Sequence, residues 1–378
     1  MNPYFDNLIE SLSLTGNLRT FPTDGFAEEG IDFSSNDYLG YSRLTFREVA
    51  AGHPELLDAR MTSSASRLLS SAQKEYSDLE RVLENLYGHD RRALLFNSGY
   101  HANTGMISAL AAIPGAAVFA DKLVHASIID GLKGVKDRWR FRHNDFSHLE
   151  RLLQNSGNRF EHKIIVVESV YSMDGDSPDL ETLLKIKDKY PGVILYVDEA
   201  HAFGVCGDKG LGLTMQTSMP GKFDIVVGTF GKALGSYGAF AVMSETMRNF
   251  FINRARSLIF STSLPPQTVL WTRLMVEKMT GDNRLRARLA ENGRILFDAL
   301  NAIAPDPTRA PSHIAYFITG APRRAVELSA ALRQDGITVL PIRTPTVPPG
   351  TDRLRISLSA AHSAEDIEKL ISSLKKCL

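Results

Sequence analysis

The residues of this chain best suited to chemistry lie where apolar runs stop. One run, Asp224-Ile225-Val226-Val227-Gly228, leads straight into Thr229-Phe230-Gly231-Lys232-Ala233-Leu234-Gly235. A primary amine at the mouth of a sheet can form a Schiff base with an aldehyde or take a proton from carbon. Thr229 adds a hydroxyl for a phosphate, and Gly231, Gly235 and Gly238 let backbone approach a ligand closely. A second run, Val193 to Val197, ends in Asp198-Glu199-Ala200-His201. A carboxylate at the end of a buried strand is costly unless paired, and a protonated pyridine nitrogen is a suitable partner. His201, three residues on, can hydrogen-bond a phenolic oxygen. A third run leads into Asn97-Ser98-Gly99-Tyr100-His101, where a helix start would leave backbone N–H groups for an anion, so Ser98, Gly99 and Tyr100 are phosphate candidates. Amine, carboxylate and anion site together call for pyridoxal 5'-phosphate, with Lys232 as its covalent anchor and Asp198 holding the ring nitrogen protonated.

Further candidates follow other runs. His125 comes after Ala117-Val118-Phe119-Ala120 and can stack on a pyridine ring, although an isolated histidine serves packing as readily. Ser172, in Glu168-Ser169-Val170-Tyr171-Ser172-Met173-Asp174-Gly175-Asp176, can reach the cofactor from the end of another strand. Asp174 and Asp176 flank a glycine, but no further ligands follow at calcium-loop spacing, so no metal is expected. Arg355, in Arg353-Leu354-Arg355-Ile356-Ser357, either faces solvent or grips a substrate carboxylate with its planar fork.

The elements that must position these residues show in the periodicity. Ala93 to Phe96, Ala117 to Ala120, Lys163 to Val167, Val193 to Val197 and Asp224 to Val227 read as short strands separated by helical stretches. Such alternation predicts an α/β fold with a mostly parallel sheet covered on both faces, which binds ligands at the carboxyl ends of its strands. Tyr76, Leu79, Val82, Leu83 and Leu86 fall at helical spacing over Glu75 to Leu86, and Pro265 to Met279 reads as a long helix. Beyond it the rhythm changes. Strands are expected at Ile314 to Ile318, Ile337 to Ile342 and Arg353 to Leu358, with a helix over Arg323 to Arg333 and a last one capped by Ser363. The expected organisation is an N-terminal arm over 1–40, a catalytic domain over 41–279 and a smaller α+β domain over 280–378, the arm holding an amphipathic piece around Phe5, Leu8, Ile9 and Leu12.

Composition narrows the partners. The 43 basic and 43 acidic residues cancel, which argues against nucleic acid or an anionic membrane and for a small molecule. Cys206 and Cys377 stand far apart and favour a reducing compartment, hence the cytoplasm. The start of the chain has no signal-peptide pattern, and the most apolar stretch, Met106 to Ala120, is interrupted by Ser108, Pro114 and Gly115, so a soluble protein is expected.

Taken in order, the motifs Ser34-Ser35-Asn36-Asp37-Tyr38-Leu39-Gly40, Ser66-Arg67-Leu68, Ser98-Gly99-Tyr100, His125-Ala126-Ser127, His143-Asn144-Asp145, Ser172-Met173-Asp174-Gly175-Asp176, Asp198-Glu199-Ala200-His201 and Thr229-Phe230-Gly231-Lys232 resemble the α-oxoamine synthases, fold-type I pyridoxal-phosphate enzymes. The resemblance implies a homodimer with active sites at the subunit interface, where Ser261 and Thr262 reach the phosphate of the partner's cofactor. It also implies that Asn36 and Arg355 hold the amino-acid carboxylate, that His125 lies over the ring, that Ser172 and His201 sit near the phenolic oxygen, and that Arg19 lies near the acyl substrate. Within the family, the loop from Ile342 to Thr351 followed by Arg353-Leu354-Arg355 is most similar to the members of biotin biosynthesis that condense L-alanine with a pimeloyl thioester of coenzyme A or a carrier protein. Sister members acting on glycine or serine, and a catalytically silent partner subunit, are the alternatives; the second is disfavoured because Lys232, Asp198 and His125 are all present. The chain departs from the family pattern in three places: Met61 to Ser66 lacks the usual glycines and Ser71 replaces another, Tyr76 stands where a histidine is usual, and the stretch between Pro22 and Ile31 is short.

Overall fold

The structure is a computed structural model and describes residues 3–15, 17–18, 21, 30–71, 74–303, 308 and 310–377. Its strands in chain order are β1 (Ile31–Asp32), β2 (Arg92–Phe96), β3 (Ala116–Asp121), β4 (Arg138–Phe141), β5 (His162–Glu168), β6 (Val193–Asp198), β7 (Ile225–Thr229), β8 (Ala239–Met243), β9 (Ile314–Ile318), β10 (Ile337–Thr338), β11 (Leu340–Ile342) and β12 (Arg353–Ser357). The chain divides into two units, one of Leu39–Ser172 with Ser177–Arg286, the other of Met1–Tyr38, Met173–Asp176 and Ala287–Leu378.

The first unit is organised by a seven-stranded sheet in the order β2-β8-β7-β6-β5-β3-β4. Its pairings are parallel from β4 through β7, while β8 runs antiparallel to both of its neighbours. The five apolar runs of the sequence are all strands of this sheet. Two further strands carried weaker signals. β4 is an edge strand of sequence Arg-Trp-Arg-Phe, and β8 begins directly after Gly238, so it reads as part of the lysine loop.

Helices cover the sheet because their apolar faces have nowhere else to go. The Gly99–Ala111 helix buries Met106, Ile107 and Leu110 in a core shared with Val118, Ile164, Val166, Ile225 and Val227. In Lys74–Tyr87, Tyr76, Leu79 and Leu83 of the expected face are buried, Val82 and Leu86 are half-buried, and Tyr87 extends the face by one position. Phe203, Phe230 and Phe240 pack together, with ring centroids 4.7 to 6.3 Å apart. A Cβ on Gly228 would meet the Phe240 ring at 2.3 Å, so only glycine fits in that strand position.

In the second unit, β11, β12 and β9 form an antiparallel sheet and β1 pairs with β10 in parallel. The single strand expected over Ile337 to Ile342 is therefore two strands in two sheets, broken at Val339, which is fully buried at the crossing. The final helix, Ala364–Cys377, starts as expected: Ser363 Oγ accepts from the Asp366 N–H at 3.2 Å, and the Asp366 carboxylate accepts from the Ser363 N–H at 2.8 Å. The helix Pro3–Leu14 buries none of its residues.

Candidate active site

A cavity of about 140 Å³ in the first unit is lined by Gly99, Tyr100, Asn103, His125, Ser127, Glu168, Asp198, Ala200, His201, Thr229 and Lys232. These side chains come from strand ends and the turns after them, because a mostly parallel sheet delivers the carboxyl ends of β3, β5, β6 and β7 to one edge.

Lys232 is held by a hairpin. β7 and β8 pair up to Thr229 and Ala239, and the loop between is laced by bonds from Phe230 N to Gly238 O (2.9 Å), Ser236 N to Phe230 O (3.0 Å) and Gly235 N to Lys232 O (3.0 Å). Gly235 turns the chain at φ 53°, where a Cβ would lie 2.6 Å from the backbone of Tyr41 and Ser42. Lys232 Nζ lies 2.8 Å from His201 Nε2.

Asp198 is the last residue of β6 and only 4% exposed. Its Oδ1 accepts from the Ala200 N–H at 2.8 Å and its Oδ2 from Asn103 Nδ2 at 2.7 Å. Both donors are neutral amides, so a buried carboxylate at the cavity wall has hydrogen bonds but gains no formal charge from them. That suits a cationic ring nitrogen. Glu168, the last residue of β5, stands beside Asp198 in register and accepts from the His125 N–H. Burial first, and the neighbouring Asp198 second, push the Glu168 carboxyl well above the usual range.

Ser98 caps the Gly99–Ala111 helix by accepting from the His101 N–H, and Gly99 meets Thr229 where the helix opens, its virtual Cβ 3.8 Å from that of the threonine. Helix N–H groups and a hydroxyl converge there, a donor set suited to a phosphate. The residues present thus fit a pyridoxal-phosphate-like group at three points: amine, carboxylate and anion site.

Of the expected site residues, Gly99, Tyr100, His125, Asp198, His201, Thr229 and Lys232 line this one cavity. Ser98 stands at the cap, and Ser172 is buried in the same unit but outside the lining. Ser261 and Thr262 also lie outside it, with the Thr262 carbonyl accepting from Asn97 Nδ2 at 2.6 Å. Asn36 and Arg355 belong to the other unit, where the 3% exposed Arg355 donates to Ser357 Oγ at 2.7 Å and Asn36 Oδ1 at 3.1 Å. The neighbouring Arg353 is instead paired with Asp174 at 2.8 Å. Arg19 lies outside the described residues, as does most of the 22–31 stretch.

The lining includes Asn103, Ser127 and Glu168, which the sequence reading did not single out. Asn103 is one helical turn beyond Gly99, and Glu168 ends β5 as Asp198 ends β6. The strand-end rule was the signal for Glu168, and helical spacing places Asn103 on the Gly99 side of its helix without showing what it bonds.

The aminotransferase class I and II family model matches residues 28–374. The chain belongs to that family. Among curated relatives, a Pasteurella multocida protein provisionally named 8-amino-7-oxononanoate synthase is 44% identical over 349 residues, covering 92% of this chain and 89% of the relative. A protein of the same name from Neisseria meningitidis is 40% identical over 352 residues, covering 91% and 90%. Among solved structures, a serine palmitoyltransferase from S. paucimobilis with a bound PLP–myriocin aldimine superposes with a TM-score of 0.87 at 29% identity, covering 99% of this chain and 97% of that one. An 8-amino-7-oxononanoate synthase from Francisella tularensis superposes at 0.74 and 28% identity, covering 93% and 98%. The fold-type I architecture and the α-oxoamine synthase resemblance read from the motifs agree with this family. No helix among the described residues is long and apolar enough to cross a membrane.

Proposed function

We propose that the chain condenses L-alanine with a pimeloyl thioester of coenzyme A or a carrier protein, releasing carbon dioxide and free thiol and giving 8-amino-7-oxononanoate, the product that appears in the names of its curated relatives. It is a pyridoxal-phosphate-dependent acyltransferase. The observation that carries the reading is the meeting of Lys232, Asp198 and His125 in one cavity beside a helix N-terminus. The cofactor, when bound, supplies an electron sink for the pair left at the amino acid's α-carbon.

The chain's own residues divide the remaining tasks. Lys232 would anchor the cofactor and is the amine placed to take a proton in the cavity; His201, 2.8 Å from it, is the partner through which that proton can be shared. Asp198, fixed by Asn103 and Ala200, would hold negative charge at the ring nitrogen. Thr229 and the backbone of Gly99 and Tyr100 would hold the phosphate and His125 the ring face. Ser172 and His201 would support the phenolic oxygen. Arg355, held by Ser357 and Asn36, takes the substrate carboxylate, and Arg19 serves the acyl group.

The working form is a homodimer in the cytoplasm. Met61, Leu69 and Phe260 are 66, 81 and 69% exposed in the first unit, apolar side chains open to a second copy, and Ser261 and Thr262, next to Phe260, would serve the partner's phosphate site.

The test is an absorbance spectrum of the cofactor-loaded protein on separate addition of L-alanine, glycine and L-serine, then pimeloyl-CoA with thiol monitored. A spectrum perturbed by alanine, with thiol released only after pimeloyl-CoA, supports the proposal. Preference for serine would move the chain to serine palmitoyltransferase activity, the reading that the 0.87 superposition favours. No cofactor band at all would mean a silent subunit.

A further inference from the structure

We propose that Asn103 and Ser127 are positioning residues that hold His125 as a neutral imidazole with its hydrogen on Nε2. The argument follows hydrogens through a buried chain of bonds whose direction is forced at every link. Tyr196 is fully buried and its hydroxyl lies 2.7 Å from Asn103 Oδ1. Asn103 is 1% exposed; its Nδ2 lies 2.7 Å from Asp198 Oδ2 and 2.9 Å from Ser127 Oγ. Turning the amide over would set its carbonyl oxygen against a carboxylate oxygen with no hydrogen between them, so the amide nitrogen must face Asp198. Oδ1 then faces Tyr196. Burial, and then Asp198, raise the Tyr196 phenol well above its ordinary value, so it keeps the hydrogen it donates.

With one amide hydrogen given to Asp198, the other goes to Ser127 Oγ. The serine hydroxyl, having accepted, has its own hydrogen to give to His125 Nδ1, 2.7 Å away. A second donor aims at the same nitrogen: the Ser127 backbone N–H, at 3.2 Å. That bond decides the matter, because a backbone amide can only donate. Nδ1 must offer its lone pair, and a hydrogen there would face the amide hydrogen. The neutral ring therefore carries its proton on Nε2, and the imidazolium is opposed.

The charged groups around the ring do not reverse this. Asp198 and Asp130 favour a positive imidazole, Lys232 opposes it, and burial, the largest influence, lowers its pKa from the ordinary value. Glu168 accepts from the His125 backbone N–H and leaves the ring untouched. His125 then brings an uncharged face and one N–H donor to the cavity, and proton storage falls to Lys232 and His201. The bearing on catalysis rests on the function proposed above; the protonation state can be tested without it.

The experiment is solid-state NMR of the full chain with labelled histidine, before and after loading with pyridoxal phosphate, the His125 signals among ten histidines being identified by their loss in His125→Asn. The expected result is a pyridine-type Nδ1 and a pyrrole-type Nε2 at pH 7. Ser127→Ala should raise the His125 pKa by about one pH unit through loss of one donor. Asn103→Asp should raise it at least as far, since a carboxylate draws the Ser127 hydrogen away from the ring. A merely structural role would lower thermal stability and leave tautomer and titration alone. A hydrogen on Nδ1 or an imidazolium at pH 7 in the parent, or an unmoved titration in Ser127→Ala, overturns the inference. These two measurements stand even if Asn103→Asp does not fold.

Discussion

Around the cavity at the strand ends, Asn103, Ser127 and Asp198 and, behind them, Tyr196 are all buried and each hydrogen bond fixes the next; in the Pro3–Leu14 helix nothing is buried, and Tyr4, Phe5 and Ile9 stay 65, 62 and 52% exposed. The two regions differ in what determines a side chain's place. In the first, a polar group left without its partner would cost about 1–3 kcal/mol, so geometry is enforced by the chain itself. In the second, the apolar face is amphipathic as the sequence predicts, yet the described residues bury none of it. The candidate site residues stand in the region where burial and hydrogen bonds fix the side chains.

The sharpest way to break this contrast is at Lys232. Lys232→Ala should retain the parent's circular dichroism while turnover in the thiol-release assay falls by about 10²–10⁴-fold or more; near-parent turnover would remove the lysine from the mechanism. Next in size is Arg355→Lys, which loses the planar fork and should raise the KM for the amino acid roughly 10- to 100-fold with a smaller change in kcat. An unchanged KM would return Arg355 to a packing role.

A third prediction concerns pH. Burial pushes the Glu199 carboxyl up to about 7 from an ordinary 4.5, only partly offset by its bond from the Thr214 N–H. Because the folded value is raised, the folded state binds the proton more tightly than the unfolded chain. This contribution is fully present below pH 4.5 and lost as pH rises through about 7. The Tm of the parent, compared with that of Glu199→Gln, should therefore fall across that window and level off above it; a constant difference would show that Glu199 does not titrate there. The smallest effect should come from the exposed helix. Phe5→Ser should change unfolding free energy by no more than about 0.5 kcal/mol, against about 3–5 kcal/mol for Phe240→Ala in the core, as read from urea titrations of both.

What the sequence disclosed follows the same division. The strands that hold Lys232, Asp198 and His125 are short, apolar and bounded by polar motifs, so local pattern and residue chemistry coincide. β4 was hidden because its arginines break the apolar run, and the break at Val339 because both halves are equally apolar. Asn103 and Ser127 sit inside motifs whose other members drew notice, and their importance lies in partners 24 and 95 positions away, Ser127 and Asp198 as seen from Asn103. Spacing along one element cannot reveal a bond between three.

The hairpin that carries Lys232 has a consequence for how the protein assembles. Thr229 and Ala239 pair across a loop of nine residues that is laced from within, so the lysine's setting depends on contacts close in sequence, whereas Asn103 must find Asp198 across 95 positions. Local closures of this kind form on a scale of about 1–10 μs, and distant pairings wait for larger loops to close. The lysine's loop should thus be ready before its more distant neighbours arrive. Pulse-labelled hydrogen exchange during refolding should find Phe230 and Ser236 protected ahead of His125, whose N–H reaches Glu168 across 43 positions, and the reverse order would mean that the loop is moulded by the finished sheet.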